Sequence, residues 1–233
     1  MKKLSLIIAI TLCALALAYA HMQEDFFTPP DYAQIERNVQ SPSSPFYYPR
    51  LMERFLAGDS TFTTEESRHL YFGFVFQPAY TPTDTSPYNR RLATVLSRQS
   101  LSARDFDEIL RYSRALLEED PFNLRALNAI MLVYAQRDNV AGFRRADWQR
   151  RIVQDAIVSS GDGMSERTPF FVIRVAHQYD MLPLFGFRFG GEDRLLRNGR
   201  MNTLSLAENR FEIPWLYFDI TPVANHLVRQ GRR

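Results

Sequence analysis

Four histidines, at positions 21, 69, 177 and 226, are the side chains in this sequence most suited to proton transfer or metal binding. His69 follows Glu65 by four residues, so the two would share one helical face and could act as two metal ligands. A metal needs at least a third ligand, and none stands nearby at a recognisable spacing. We therefore favour a hydrogen-bonded pair at the start of a helix, and we predict no metal site.

His177 and Asp180 form a second pair, one helical turn apart. A carboxylate can orient a histidine that acts as a general base, which would suit a hydrolase. An ordinary, partly buried histidine explains the same residues, and we favour it. Access to the imidazole separates the two hypotheses, because an enclosed ring with no cleft above it could not reach a substrate.

The aromatic run Tyr71–Phe76, followed by Tyr80, could stack on sugars or on peptide side chains. Aromatic residues at this density are more typical of a core, which we favour. Gln77 and Tyr80 end the run with polar tips and are the first candidates for ligand binding. Asp162 stands between two glycines in a predicted loop and could face a ligand, although a plain turn residue is the simpler interpretation.

Several residue types that common reactions require are missing. The only cysteine is Cys13, in the apolar N-terminal run, and no lysine follows Lys3. Residues 21–233 therefore offer no thiol nucleophile, disulfide, cysteine metal ligand or Schiff-base lysine. The Gly-x-Ser-x-Gly elbow and the His-Glu-x-x-His zinc motif are also missing. We predict no cofactor and favour a non-enzymatic function.

Residues 1–20 have the three zones of a secretory signal peptide: two lysines, the apolar run Leu4–Leu17, and the small residues of Ala18-Tyr19-Ala20. The apolar run is shorter than the roughly 20 residues of a membrane span. We predict cleavage between Ala20 and His21, which would release an exported protein into the periplasm or the medium. This is preferred to an uncleaved anchor and to lipid attachment at Cys13, which follows a leucine rather than a small residue.

The charge and composition of residues 21–233 restrict the partners and the class of protein. The net charge of +2 equals the two N-terminal lysines, so the rest of the chain is neutral. A neutral chain has no general attraction for nucleic acid, and no nucleic-acid partner is predicted. With 45% hydrophobic and 13% aromatic residues the chain can build a core. No segment after the leader is apolar enough to span a membrane.

The first part of the chain is predicted to be helical. Residues 21–49 form a proline-rich lead-in with one short helix over Asp31–Asn38, and residues 50–163 form a helical block. The predicted helices of this block are Pro49–Ala57, the segment from the Thr63/Glu66 capping box to Gln77, Ala103–Glu119, Leu124–Gln136 and Val140–Val158. In the last of these, Trp148 is expected to face the core. Alternating aromatics near Gln77 would also suit a strand, but the cap favours a helix.

Residues 164–233 are predicted to add a sheet. Pro169–Leu182 could be a buried helix or a strand, and apolar residues recurring at three and four favour the helix. Strands are predicted over Leu184–Phe189, Met201–Ala207 and Trp215–Thr221, in an antiparallel meander. The predicted fold is α+β, with an antiparallel helical block followed by a small antiparallel sheet, and we expect both within one domain.

Two resemblances accompany this interpretation. Ala103–Val158 partly resembles a tetratricopeptide helical hairpin, with Asp120-Pro121 where such repeats turn, although plain antiparallel packing explains the same pattern. Glu65–Gln77 with Tyr80 is similar to the opening block of an exported bacterial family, domain of unknown function 4919. Its later blocks resemble Gly161-Asp162-Gly163 with Phe170–Ile173, then Tyr179–Leu182, then Tyr217–Ile220. The family resemblance implies export and brings no activity.

These observations leave two functional hypotheses. The leading one is an interaction module in the cell envelope, in which helices and sheet form a groove for a protein or peptide partner. The alternative is a hydrolase built on carboxylates and His177.

Overall fold

The computed structural model describes residues 27–83 and 85–231, which contain nine α-helices followed mainly by a small sheet. The helices are α1 (Tyr32–Gln40), α2 (Tyr48–Ala57), α3 (Thr64–Gly73), α4 (Pro87–Leu96), α5 (Ala103–Glu119), α6 (Leu124–Gln136), α7 (Val140–Val158), α8 (Val175–Met181) and α9 (Thr221–Gly231). The strands are β1 (Phe170–Phe171), β2 (Phe189–Leu196), β3 (Met201–Leu206) and β4 (Trp215–Asp219). The predicted α+β class is confirmed.

Local capping signals explain where most helices begin. The Thr63 side chain accepts from the Glu66 amide while Glu66 reaches back to the Thr63 amide, so the predicted capping box is present. Ser102 caps α5 in the same way, with Asp105 as its partner. Gly58 ends α2 at a positive φ of 73°, a conformation that glycine adopts without steric cost.

The helix α3 is shorter than predicted. It ends at Gly73 and continues as one 3₁₀ turn over Phe74–Phe76, because the Phe74 amide bonds to the carbonyl of Tyr71, only three residues back. A Cβ at Gly73 would lie 2.7 Å from Cγ1 of Val39, so the glycine lets α1 pack directly against this point.

The helices α4 to α7 pack on one another in chain order, and α7 packs in turn on α3. The helix α4 was missed by the sequence analysis, although Ser86 caps it and Pro87 stands at its first position. Trp148 does not face the core as predicted: 36% of its surface is exposed, and the Arg151 guanidinium lies 5.3 Å from its ring. The tetratricopeptide resemblance is not confirmed.

The sheet has the order β1-β4-β3-β2, in which β2, β3 and β4 form an antiparallel meander and β1 adds in parallel at the edge. The segment Pro169–Leu182, predicted as one helix, is split into β1 and α8. Pairing with the β4 residues Phe218 and Asp219 holds its first part extended. This pairing is a tertiary contact that the local pattern could not indicate.

The strand predicted over Leu184–Phe189 is also wrong. Residues Leu182–Phe185 form a 3₁₀ turn that contains Pro183 and ends at Gly186, where φ is 74°. The strand β2 starts only at Phe189 and runs through Gly190-Gly191. A Cβ at Gly190 would lie 2.8 Å from the Leu206 carbonyl carbon, so glycine permits close approach of β3.

The described part of the chain ends in a helix. The strand β4 ends at Asp219, whose carboxylate accepts from the Thr221 amide at 2.9 Å, and α9 follows with Pro222 in its first turn. The strand predicted over Trp215–Thr221 is present as β4, in which Leu216 and Phe218 are buried while their neighbours are half-buried.

The largest hydrophobic cluster joins both ends of the described chain. It contains Ile35 and Val39 of α1, Phe72 of α3, and Leu204 and Phe218 of the sheet. The lead-in therefore contributes to the same core as the sheet. Among residues 27–83 and 85–231, no helix is both long enough and apolar enough to cross a membrane.

Candidate functional site

The segment Phe74–Tyr80, which contains both residues singled out at the end of the aromatic run, contributes to two separate depressions of the surface. Phe74, Gln77 and Pro78 line one of them, and Phe76 and Tyr80 line the other. We call the first the groove and the second the cavity.

The groove lies between α2, the segment after α3, and the end of α5, and has a volume of about 720 Å³. Its lining residues are Tyr48, Met52, Leu56, Phe74, Gln77, Pro78, Ala79, Arg114, Leu117, Glu118, Glu119 and Pro121. Met52 and Leu56 are four residues apart on one face of α2, and 55% of the Leu56 surface is exposed. Most of the groove is therefore apolar.

Charged side chains border the groove at the end of α5. Arg114, Glu118 and Glu119 are exposed, and none of them forms an ion pair with another residue that the structure describes. Gln77 is half-buried and reaches the Gly73 carbonyl at 3.4 Å, a long hydrogen bond. The border thus carries two carboxylates, one guanidinium and one weakly held amide.

The cavity lies between α1, the 3₁₀ turn and α9, and has a volume of about 230 Å³. Its lining residues are Tyr32, Val75, Phe76, Tyr80, Thr221, Pro222, Asn225, His226 and Arg229. Tyr80 is fixed there, because its hydroxyl donates to the Ile173 carbonyl at 2.7 Å and its ring meets the His226 ring edge-on at 5.5 Å. Burial raises the pKa of the Tyr80 hydroxyl above its ordinary value.

The Tyr32 side chain also lines this cavity. Its hydroxyl is buried and has no hydrogen-bond partner in the described part of the chain. Burial first, and then the nearby Asp219 carboxylate, raise the pKa of this hydroxyl well above its ordinary value. The hydroxyl therefore stays protonated and remains a hydrogen-bond donor.

His177 is enclosed in the core, with 1% of its surface exposed. Its Nε2 lies 3.0 Å from the Phe122 carbonyl, which only accepts, so Nε2 carries the proton and Nδ1 accepts from the Tyr71 hydroxyl at 2.7 Å. Neither partner is Asp180, whose carboxylate accepts from Arg125 at 3.2 Å. A substrate has no path to this imidazole, and the geometry does not favour the hydrolase hypothesis.

The buried His177 makes the stability of the fold sensitive to acid. Burial first, and then the charge of Arg174, lower the pKa of His177 to about 3, below its ordinary value of 6.5. Between these two pH values the unfolded chain binds a proton that the folded chain does not. Stability is therefore lost as the pH falls through this window, and from pH 7 to pH 5 we expect a loss of about 2 kcal/mol from His177.

Urea unfolding at pH 7 and pH 5 measures this loss. The His177→Gln variant keeps a neutral polar group at the site and should lack this part of the pH dependence, so it serves as the reference. His69 has a pKa that burial also lowers, and it contributes equally to both proteins. The same decrease in wild type and variant would contradict the prediction.

His69 is part of a hydrogen-bonded arrangement at the start of α3, as predicted. Its Nδ1 donates to the Glu65 carbonyl at 2.8 Å, so Nε2 accepts from the Asn38 amide at 2.9 Å. The ring stacks on Phe46 with the ring centroids 3.9 Å apart. Within the described ranges, no three histidine or acidic side chains are grouped to hold a metal ion.

Asp162 holds its own loop together. Its Oδ1 accepts from the Met164 amide at 2.8 Å and from the Thr168 hydroxyl at 2.6 Å. These are the bonds of a structural turn residue. Of the five predicted site residues, the structure thus brings Gln77 to the groove and Tyr80 to the cavity, while Asp162, His177 and Asp180 lie elsewhere.

The residues that complete both sites carry little signal in the local sequence. Met52 and Leu56 could have been noticed as a pair at helical spacing, but nothing local marks them as exposed. Tyr32 and Arg229 come from α1 and α9, at opposite ends of the described chain. Only the tertiary structure brings them together.

Comparison with known protein families identifies the family of this chain. The model of a family described as "Domain of unknown function (DUF4919)" matches residues 33–229. No curated protein and no solved structure matched the chain.

Proposed function

This chain belongs to the DUF4919 family, and we propose that it is an exported, non-enzymatic interaction module. In this proposal the groove beside α2 and α5 binds a peptide segment of a partner protein in the cell envelope. The segment would present apolar side chains to the groove and a basic residue to its border. The observation that carries the proposal is the exposed apolar lining of the groove.

Hydrophobic burial would supply the main part of the binding free energy. Leu56 is 55% exposed although it lies beside Met52, Phe74 and Leu117 in one continuous apolar surface. Apolar surface of this kind gains free energy when a partner removes it from water, at about 25 cal/mol per Å². A volume of about 720 Å³ has room for a few side chains of a bound segment.

The charges at the border favour a basic partner. Glu118 and Glu119 outnumber Arg114, and the two carboxylates have no ion-pair partner in the described ranges. They also stand at the C-terminal end of α5, where the helix dipole adds partial negative charge. A lysine or arginine on the partner would lie in a favourable potential, which supports specificity and rapid association.

Gln77 gives the groove a polar contact. Its amide bonds only at 3.4 Å to the Gly73 carbonyl. An amide can both donate and accept, so it can bond to the backbone of an extended or helical segment. Such a polar contact within an apolar lining orients a ligand.

Peptide binding tests the proposal directly. Two labelled peptides of about 12 residues share the same leucine and phenylalanine positions and differ only in flanking lysine or flanking glutamate. Fluorescence anisotropy should show tighter binding of the lysine peptide. Leu56→Asn should weaken that binding about fivefold, because it removes roughly 1 kcal/mol of apolar burial.

The matched control for this experiment is Leu195→Asn. Leu195 is 67% exposed on β2 and does not line the groove. Its replacement should leave the affinity unchanged. Equal affinity for the two peptides would contradict the preference for a basic partner. Unchanged binding by Leu56→Asn would show that the peptide does not bind in the groove.

Export is the second part of the proposal and is supported by the signal-peptide pattern of residues 1–20, which lie outside the described residues. Intact mass spectrometry of the protein from its native host should show a chain that begins at His21 and carries no lipid. Retention of Cys13, or a lipid-sized increase in mass, would contradict it.

A further inference from the structure

The cavity between α1, the 3₁₀ turn and α9 contains polar groups that the fold itself does not use. We propose that this cavity binds a small ligand with a carboxylate group and an apolar, aromatic or aliphatic body. The cavity and the groove share no lining residue. The inference is therefore independent of the proposed function, and the two can fail separately.

The first observation is the Tyr32 hydroxyl. The hydroxyl is buried and no described residue accepts its hydrogen bond, while the Tyr32 side chain lines the cavity. A buried donor without a partner is costly, and native proteins seldom keep one without a reason. A ligand oxygen that reaches this donor from the cavity would recover the lost interaction.

The second observation is an amide on α9. The Asn225 side chain lines the cavity and is half-buried, and it makes no hydrogen bond to any residue in the described ranges. It lies on the helix that closes the cavity, while Tyr32 comes from α1. Two side chains with unused donors thus line the same small volume from different elements, which is an arrangement suited to the two oxygens of a carboxylate.

The third observation is the charge at the cavity. Arg229 is exposed and forms no ion pair within the part of the chain that the structure describes. Burial has the larger effect on the Tyr80 hydroxyl and raises its pKa, whereas the positive charge of Arg229 lowers this pKa. The electrostatic effect of the guanidinium therefore extends into the cavity. The nearby Asp219 is not a lining residue, and its carboxylate is bonded to the Thr221 amide. Arg229 is thus a positively charged lining residue, and its charge favours an anionic ligand.

The walls and the size define the body of the ligand. Phe76 and Tyr80, with the ring of Tyr32, provide aromatic surface. A volume of about 230 Å³ equals that of about eight water molecules at the roughly 30 Å³ each occupies in the liquid. A group of the size of benzoate fits. The carboxylate could come from a free small acid or from the C-terminal residue of a peptide.

Probe binding tests the inference. In NMR titrations of the purified protein, benzoate should bind with a Kd on the order of millimolar, which is ordinary for so few atoms. Benzyl alcohol has a similar shape without the charge and should bind about tenfold more weakly. Tyr32→Phe and Arg229→Gln should each raise the Kd for benzoate about tenfold, because each removes a charge-assisted hydrogen bond.

Two matched variants serve as controls. Tyr88→Phe removes the hydroxyl of another half-buried tyrosine, on α4, and Arg144→Gln removes another exposed arginine, on α7. Neither residue lines the cavity, and neither variant should change benzoate binding. Tyr32→Phe removes a hydroxyl that has no described partner, so its melting temperature should not fall and a loss of binding cannot be attributed to unfolding.

Three results would contradict carboxylate binding in the cavity. Benzyl alcohol binding as tightly as benzoate would exclude carboxylate recognition, and tighter binding of benzylamine would show a site for cations instead. Benzoate binding that survives both Tyr32→Phe and Arg229→Gln would place it outside the cavity. If a short peptide ending in phenylalanine binds more tightly than benzoate and loses this advantage when amidated, a peptide C-terminus is the source of the carboxylate. Otherwise a free acid is.

Discussion

Replacing Arg174 by methionine should lower the free energy of unfolding by about 3–5 kcal/mol. Arg174 Nε lies 2.9 Å from Oδ2 of Asp120, and only 5% and 4% of the two side chains are exposed. The guanidinium also donates to the Thr81 carbonyl at 2.5 Å. Methionine fills similar space but removes the guanidinium from the buried Asp120 carboxylate, and the loss of this buried ion pair is the main cost. Urea unfolding of variant and wild type measures the difference.

An exposed ion pair provides the control for this prediction. Arg197 Nε lies 3.0 Å from Oε2 of Glu166, a similar distance, but 57% and 47% of these side chains are exposed. Water already solvates both charges, so Arg197→Met should cost less than about 1 kcal/mol. Similar losses for the two variants would show that burial does not set the contribution of the Arg174–Asp120 pair.

The second large effect is expected at Phe72, where Phe72→Ala should cost about 3–5 kcal/mol. The side chain is fully buried, and its ring packs against those of Tyr32 and Tyr71 with centroids 6.1 Å and 5.0 Å apart. Alanine would leave a cavity at the centre of the largest hydrophobic cluster. Because a domain of this size is stable by only about 5–15 kcal/mol, the melting temperature should fall sharply.

Phe76→Ala compares a residue that lines the cavity with the fully buried Phe72. From its spacing to Phe72 it was expected to be equally buried, and its ring does contact Tyr32, at 6.4 Å. It is only half-buried, however, because α3 ends at Gly73 and the 3₁₀ turn carries it to the cavity. Its replacement should cost less than that of Phe72. Thr63→Ala removes only the cap of α3 and should lower the free energy of unfolding by about 1 kcal/mol. This value provides a reference for the two phenylalanine variants. Unchanged melting of Phe72→Ala would contradict the assignment of the aromatic run to the core.

The sequence alone determined most of the helical part of the fold. The bounds of α5, α6 and α7 agree with the structure, and the capping box at Thr63 is formed as predicted. These features depend on residues within a few positions of each other, so a local pattern is sufficient to indicate them. Membership of the DUF4919 family was likewise indicated by short blocks of residues, and the family match confirms it.

The predicted strands over Met201–Ala207 and Trp215–Thr221 are present as β3 and β4, whereas β1, the start of β2 and the last helix were less accessible to prediction. The start of β2 at Phe189 depends on backbone contact between Gly190 and β3, and β1 exists because it pairs with β4. Such pairing joins positions far apart in the chain, and their local sequences would equally suit a turn or a helix. The helix α9 was missed because the strand pattern before it was extended past Asp219.

For the candidate sites, the sequence by itself pointed to Gln77 and Tyr80, since polar tips at the end of an aromatic run are a local feature. Only the tertiary structure decided that they belong to different depressions and that His177 is enclosed in the core. It alone placed Tyr32 beside Arg229, and Leu56 beside Leu117. The physical reason is that exposure and unused hydrogen-bonding capacity depend on which distant elements pack together, whereas helix formation depends mainly on neighbours in the chain.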